Sequence, residues 1–178
     1  MKLVYRSLLS VFLIAATCLS LPAAAQARAN TWTPIGPYGS NVNAMVMASG
    51  PGNSLFIGTA ASGIWKSADG GLHWAWSSDG THGASITSLL ADPANPDTLY
   101  AGGEGSVFKT SDSGLTWAQV GQELDPGDSH TINTLVAASG GTLLAGTYHG
   151  GIYRSTDGGT TWDHANSGLP AIAGIEIT

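Results

Sequence analysis

The octapeptide Ser155-Thr156-Asp157-Gly158-Gly159-Thr160-Thr161-Trp162 constrains this chain more than any other feature, because it recurs. Its earlier copies are Ser67-Ala68-Asp69-Gly70-Gly71-Leu72-His73-Trp74 and Thr110-Ser111-Asp112-Ser113-Gly114-Leu115-Thr116-Trp117. The copies begin at residues 67, 110 and 155, so successive starts are 43 and 45 residues apart. Each places a hydroxyl residue, an Asp, a Gly and a Trp at fixed offsets: Ser67, Asp69, Gly71 and Trp74; Thr110, Asp112, Gly114 and Trp117; Ser155, Asp157, Gly159 and Trp162. Near-constant spacing of this kind marks one supersecondary unit stacked repeatedly. Locally the pattern is that of a tight hairpin. Asp and Ser/Thr side chains bond nearby backbone N–H groups, Gly supplies a backbone shape other residues resist, and the Trp opens the next strand with a large apolar face.

The sequence between the octapeptides repeats as well. Short apolar or alternating runs predict first strands at 42–47, 86–91 and 132–137, and second strands at 55–59, 98–102 and 142–147. Gly58, Gly102 and Gly146 recur at intervals of 44 residues near the second-strand ends. Third strands follow one order, aliphatic, aromatic, basic, hydroxyl: Ile64-Trp65-Lys66-Ser67, Val107-Phe108-Lys109-Thr110 and Ile152-Tyr153-Arg154-Ser155. Fourth strands are expected from Trp74, Trp117 and Trp162. Glycine at 25 residues, charged residues at 10% and six Trp fit such a turn-rich all-β protein and not a disordered one.

With these flanks, the octapeptides resemble the Asp-box (BNR) repeat, found at the hairpin between the third and fourth strands of β-propeller blades. The resemblance covers residues 31–178. It implies an all-β propeller of four-stranded antiparallel blades, with the box residues structural and the ligand on the opposite face. Propellers of this type include sortilin-like receptors, photosystem II assembly factors and xyloglucan-active hydrolases. The expected divisions are a leader at 1–25, a linker and ring-closing outer strand at 26–36, blades at 37–78, 79–122 and 123–168, and the first strand of a fourth blade at 169–178. Because propellers need about four to eight blades to close, the chain is expected to be the N-terminal part of a six- to eight-bladed ring. Missing C-terminal blades or self-association would then cover its end blades.

Residues 1–25 read as a secretory signal: Lys2 and Arg6, an apolar run from Leu8 to Leu21, then Pro22 before Ala23-Ala24-Ala25. Export to the periplasm or the extracellular space follows, with no membrane contact after cleavage. The single cysteine, Cys18, lies inside that run, so the mature chain has no thiol for a disulfide, a metal or catalysis. The whole chain carries a net charge of −6. Loss of the leader leaves Arg28, Lys66, Lys109 and Arg154 as the only Lys or Arg residues. That charge gives no support for nucleic acid as a partner, and none is expected. Lys66, Lys109 and Arg154 share one repeat position and read as blade structure, their apolar stems lying along the sheet.

Strand parity places the second-to-third and blade-to-blade connections opposite the octapeptides. That face is expected to carry Glu104, Tyr148 and His149 within blades, and Asp79, His82, Asp125, Asp128 and His130 between them. These residues vary between repeats, as ligand loops on a fixed scaffold do. Glycoside hydrolysis needs two carboxyl groups, about 5–5.5 Å apart for retention or about 6.5–9.5 Å for inversion. Glu104 with Asp125 or Asp128 is the formal pair. In the xyloglucan-active relatives the catalytic Asp can follow the second strand as Thr-Asp-x-Gly-Gly. Here Thr147-Tyr148-His149-Gly150-Gly151 has Tyr148 at that place, and Thr59-Ala60-Ala61-Ser62-Gly63 has Ala60. A sialidase-like site wants three arginines, and only Arg28 and Arg154 remain after the leader. The five histidines lack close ligand spacing, so no metal site is assigned. No cofactor is expected either: Gly102-Gly103-Glu104-Gly105 opens a strand and not a helix. The expectation is therefore a non-catalytic module binding a protein or glycan through these loops. The alternative is the N-terminal part of a secreted glycoside hydrolase, xyloglucanase-like or sialidase-like.

Overall fold

The structure, a computed structural model, describes residues 36, 39–50, 52–122, 124 and 131–169. All lie in one compact unit, Pro34–Thr178. The expected leader, the outer strand at 31–36 apart from Gly36, the strand expected from Gly174, and Asp125, Asp128 and His130 fall outside the described residues.

Twelve strands form among the described residues. They are β1 Val42–Met47, β2 Leu55–Thr59, β3 Ile64–Ser67, β4 Ala75–Trp76, β5 Ile86–Ala91, β6 Leu99–Gly103, β7 Val107–Thr110, β8 Ala118–Val120, β9 Ile132–Ala137, β10 Leu143–Thr147, β11 Ile152–Ser155 and β12 Asp163–His164. They pair in sequence as three four-stranded sheets, β1 to β4, β5 to β8 and β9 to β12. Every pairing is antiparallel. The protein is thus all-β, with its sheets arranged as propeller blades.

Several strand limits differ by one residue from the sequence expectation: β6 runs Leu99–Gly103, β10 begins at Leu143, and β4, β8 and β12 each begin one residue after Trp74, Trp117 and Trp162. Two of these starts have a local reason. β6 begins at Leu99 because the Thr98 N–H turns back to the Asn95 carbonyl at 2.9 Å, inside the hairpin. β8 begins at Ala118, one residue after Trp117. The Trp117 N–H leaves its own sheet and donates at 2.8 Å to the carbonyl of Asp79, in the connection that leads from the first blade.

The core lies between blades. Ala48, Phe56 and Ile64 of the first blade meet Ile86, Leu99, Ala101, Phe108 and Trp117 of the second. Tyr100 and Val107 of the second meet Ile132, Leu135, Leu143, Ala145, Tyr153 and Trp162 of the third. Each such side chain contributes about 1.5–3 kcal/mol when fully buried. The middle blade is apolar on both faces, which is why its strands read as short continuous runs and not as strict alternation. Glycine near the end of the first two second strands lets the blades approach this closely. A Cβ at Gly58 would overlap the Ile86 side chain, and one at Gly102 would stand 2.7 Å from Ile132 Cγ2.

The three octapeptides share one hydrogen-bond scheme. The Ser67, Thr110 and Ser155 hydroxyls donate to the Oδ1 of Asp69, Asp112 and Asp157 at 2.8, 2.6 and 2.8 Å. They also accept from the N–H of Gly71, Gly114 and Gly159 at 2.9, 3.0 and 2.9 Å. Each Asp closes the turn by accepting the backbone N–H of His73, Thr116 or Thr161 at 2.9 Å. The second carboxylate oxygen takes the Thr116 or Thr161 hydroxyl at 2.6 or 2.7 Å, or the His73 imidazole at 2.6 Å.

These bonds hold all three carboxyls at a pKa of about 2, down from 3.8. The leading cause is the His73 N–H for Asp69, the Thr110 hydroxyl for Asp112 and the Thr161 N–H for Asp157. Folding thus favours the ionised form of each. The stabilisation is complete above the unfolded value of about 3.9 and fades as pH falls through about 2. Melts followed by circular dichroism should show stability falling steeply between about pH 4 and pH 2, and Asp112→Asn should flatten that fall while lowering stability at pH 7. A variant whose acid profile matched the parent's would contradict this role for Asp112.

One lysine of the third strands ties two blades together. Lys66 Nζ donates to the Ser113 carbonyl of the next octapeptide at 2.8 Å, and sits 5.3 Å from the Phe56 ring centroid. Lys109 sits at the same 5.3 Å over Tyr100. Lys66 thus serves blade structure, while Arg154 at the same repeat position is exposed.

Candidate functional site

The second-to-third strand connections present three different side chains on one backbone position. Ala60, Glu104 and Tyr148 follow Thr59, Gly103 and Thr147, the last residues of β2, β6 and β10. In the outer two blades the threonine closes the loop, Thr59 Oγ1 donating to the Gly63 carbonyl at 2.9 Å and Thr147 Oγ1 to Gly151 at 3.1 Å. The middle loop is one residue shorter and closes by the Gly103 N–H to the Ser106 carbonyl at 3.0 Å.

Two of the three positions converge. Glu104 forms an antiparallel bridge with Thr131, at the entrance to β9. The Tyr148 N–H donates to the Thr131 carbonyl at 3.0 Å. Thr131 therefore holds the loops of the second and third blades side by side, and brings a carboxylate, a phenol and an imidazole onto one exposed surface. Tyr148 is 65% exposed. Its ring meets His149 edge to face, with centroids 4.1 Å apart. Backbone bonds fix the positions, while the side chains face water. Such an arrangement is suited to contacting a ligand.

Asp79 and His82, the other expected loop residues that the structure describes, sit in the connection between the first and second blades. The Asp79 carbonyl accepts the N–H of Trp117, the last residue of the second octapeptide, and the nearby Ser77 hydroxyl donates to the Gly114 carbonyl at 2.5 Å. Past β4 the chain stays beside β3 as far as that strand's first residue, the Ser77 N–H donating to the Ile64 carbonyl at 2.9 Å and the Ser78 hydroxyl to the same carbonyl at 3.0 Å, before it crosses to the next blade. His82 occupies a separate turn, closed by the Ala84 N–H to the Thr81 carbonyl at 3.0 Å, with a left-handed φ of 52°. Thr131 was not anticipated, because its role lies in its backbone and no side-chain pattern announces it.

The remaining described carboxylates are placed elsewhere. Asp69, Asp112 and Asp157 are committed to the octapeptides. Asp92 and Asp97 sit on the β5–β6 hairpin, and Asp163 pairs opposite Arg154 on the outer strand β12. Among the described residues, no group of three or more His, Cys, Asp or Glu can hold a metal ion.

A family model described as the DUF6242 beta propeller domain matches residues 83–176. A curated protein of Neosartorya fischeri, a probable oligoxyloglucan-reducing end-specific xyloglucanase, is 30% identical over 74 residues, which is 38% of this chain and 9% of that protein. Among solved structures, an ancestral GH74 enzyme superposes with a TM-score of 0.59 at 24% identity, covering 68% of this chain and 18% of the enzyme. YCF48 bound to D1 peptide superposes at 0.50 and 20% identity, covering 70% of this chain and 40% of that one. This chain thus spans under a tenth of the curated relative and under a fifth of the GH74 enzyme.

Proposed function

The chain belongs to the DUF6242 β-propeller family, and we propose that it is an exported, non-catalytic propeller module of the Asp-box type. It binds a protein or glycan ligand through the surface formed by Glu104, Tyr148 and His149. The observation that carries this reading is the joint hold of Thr131 on the Glu104 and Tyr148 loops. Side-chain chemistry favours a glycan. An exposed phenol braced edge-on by an imidazole offers a flat face to the C–H side of a sugar ring, and a neighbouring carboxylate accepts from sugar hydroxyls.

Hydrolysis asks for a second carboxyl group beside Glu104. The partners that the sequence offers for it, Asp125 and Asp128, lie outside the described residues, so the non-catalytic reading rests on the surface chemistry of Glu104, Tyr148 and His149. The octapeptides, in this reading, are the ruler of the blade and not part of the site. Export rests on the basic, apolar and small-residue order of positions 1–25.

Isothermal titration of the full chain with xyloglucan heptasaccharide tests the proposal. Saturable binding is expected, weakened about tenfold by Tyr148→Ala, the equivalent of about 1.4 kcal/mol. Unchanged affinity in that variant, with its melt intact, would remove the site from this surface.

A further inference from the structure

A cleft lies on the octapeptide side, between the β5–β6 and β9–β10 hairpins. It has a volume of about 300 Å³ and is lined by Asp92, Pro93 and Ala94 of one hairpin and Ala138 to Gly141 of the other. Tyr100, Ala137 and Leu143 complete the lining, and all three belong to the core between the second and third blades. The cleft is thus a continuation of the blade-to-blade interface that opens to solvent.

Its origin is a difference in loop length. Residues 48–54 and 92–98 join the first two strands of their blades with seven residues each, whereas 138–142 does so with five. At the junction of the first and second blades the extra residues fill the corresponding space. Pro96 of the second blade's hairpin packs on Gly50 of the first, and a Cβ there would be 3.5 Å from Pro96 Cβ. Ala94 stands in the second blade where Gly50 stands in the first, each three residues beyond the end of the inner strand. The third hairpin is instead a short 3-10 turn, Ser139–Gly141, and carries no proline to cover Ala94.

We propose that this cleft binds an extended peptide segment of a partner protein that presents a proline beside a basic residue. The proline takes the place that Pro96 takes one blade earlier. Apolar walls, the buried Tyr100 ring and Leu143 suit a ring that has no N–H to satisfy. The basic neighbour is read by Asp92, the one charged group in the lining. Its oxygens accept from the Ala94 N–H at 2.8 Å and the Asn95 amide at 3.2 Å, which fixes the carboxylate while leaving it further lone pairs. A volume near the lower limit of ligand cavities (~300–1,000 Å³) admits one or two residues and not a folded surface. The site is independent of the Glu104 surface, so either can fail without the other.

The test is fluorescence anisotropy of the full chain with a labelled Gly-Lys-Pro-Ala-Lys-Gly peptide and its twin carrying Ala for Pro. The proline peptide should bind at least about tenfold more tightly, with affinity falling as salt is raised. Inserting Asn-Pro between Ser139 and Gly140 restores a seven-residue hairpin, and should remove binding while leaving the melt unchanged. Ala94→Phe fills the same space without altering the loop and should have the same effect. Asp92→Asn should reduce affinity several-fold and most of its salt dependence. Equal binding of the two peptides, or wild-type binding by Ala94→Phe, would overturn the proposal. So would sedimentation showing that the insertion abolishes a dimer, since the occupant would then be a second copy.

Discussion

Trp117→Ala is expected to destabilise the chain by about 3–5 kcal/mol, the cost of removing a buried aromatic side chain. Trp117 is 4% exposed and packs in the core between the first and second blades. Its indole N–H donates to the Ser77 carbonyl at 2.8 Å and its backbone N–H to the Asp79 carbonyl at 2.8 Å, both across the blade boundary. Truncation leaves the Ser77 carbonyl without that donor, and part of the loss is this unmet polar group, about 1–3 kcal/mol where it remains buried. Trp117→Phe keeps most of the packing and loses only the indole bond, so its cost should be nearer 1–2 kcal/mol. Urea melts give both values. Hydrogen exchange adds the location: amide protection should fall at Ser77 in the first blade as well as around Trp117 in the second. A loss below about 1 kcal/mol, or one confined to the second blade, would mean that Trp117 is only a strand opener.

Gly102→Val should be the next most damaging change, at about 3 kcal/mol, the upper end of overpacking costs. Gly102 is not in the left-handed region, so conformational freedom is not the issue. Room is. An added Cβ would stand 2.7 Å from Ile132 Cγ2 and closer still to the Ser88 hydroxyl, and Ile132 is fully buried with nowhere to move. Gly50→Ala is the matched control, since its Cβ would make an ordinary 3.5 Å contact with Pro96. It should change stability by no more than about 0.5 kcal/mol. Similar melts for the two variants would show that the blades are not packed as closely as described.

Much of this architecture is legible in the residues themselves. The aliphatic, aromatic, basic, hydroxyl order marks β3, β7 and β11 from end to end, because a strand's face pattern is written in its own sequence. The octapeptide hydrogen bonds are equally local, none reaching beyond five residues, so their chemistry follows from the side chains present. Contacts between blades are another matter. Trp117 looks like the first residue of its own strand, yet its N–H bonds to Asp79 in the connection that leads from the first blade. No periodicity within one repeat reports such a crossing. Thr131 joins Glu104 and Tyr148 through backbone atoms, which residue identity does not encode. The Ala94 cleft had a signal in the sequence, the five-residue third hairpin against two of seven. It becomes meaningful only once Pro96 is seen filling the equivalent space beside Gly50.

The central claim is that Glu104 serves binding and not bond cleavage. A reducing-end assay of the purified full chain on xyloglucan, run beside Glu104→Gln with saturating substrate and long incubation, tests it most directly. The account predicts no new reducing ends from either protein, together with weaker retention of Glu104→Gln on the polysaccharide. Turnover by the parent chain that disappears in Glu104→Gln would contradict it and make the chain a hydrolase.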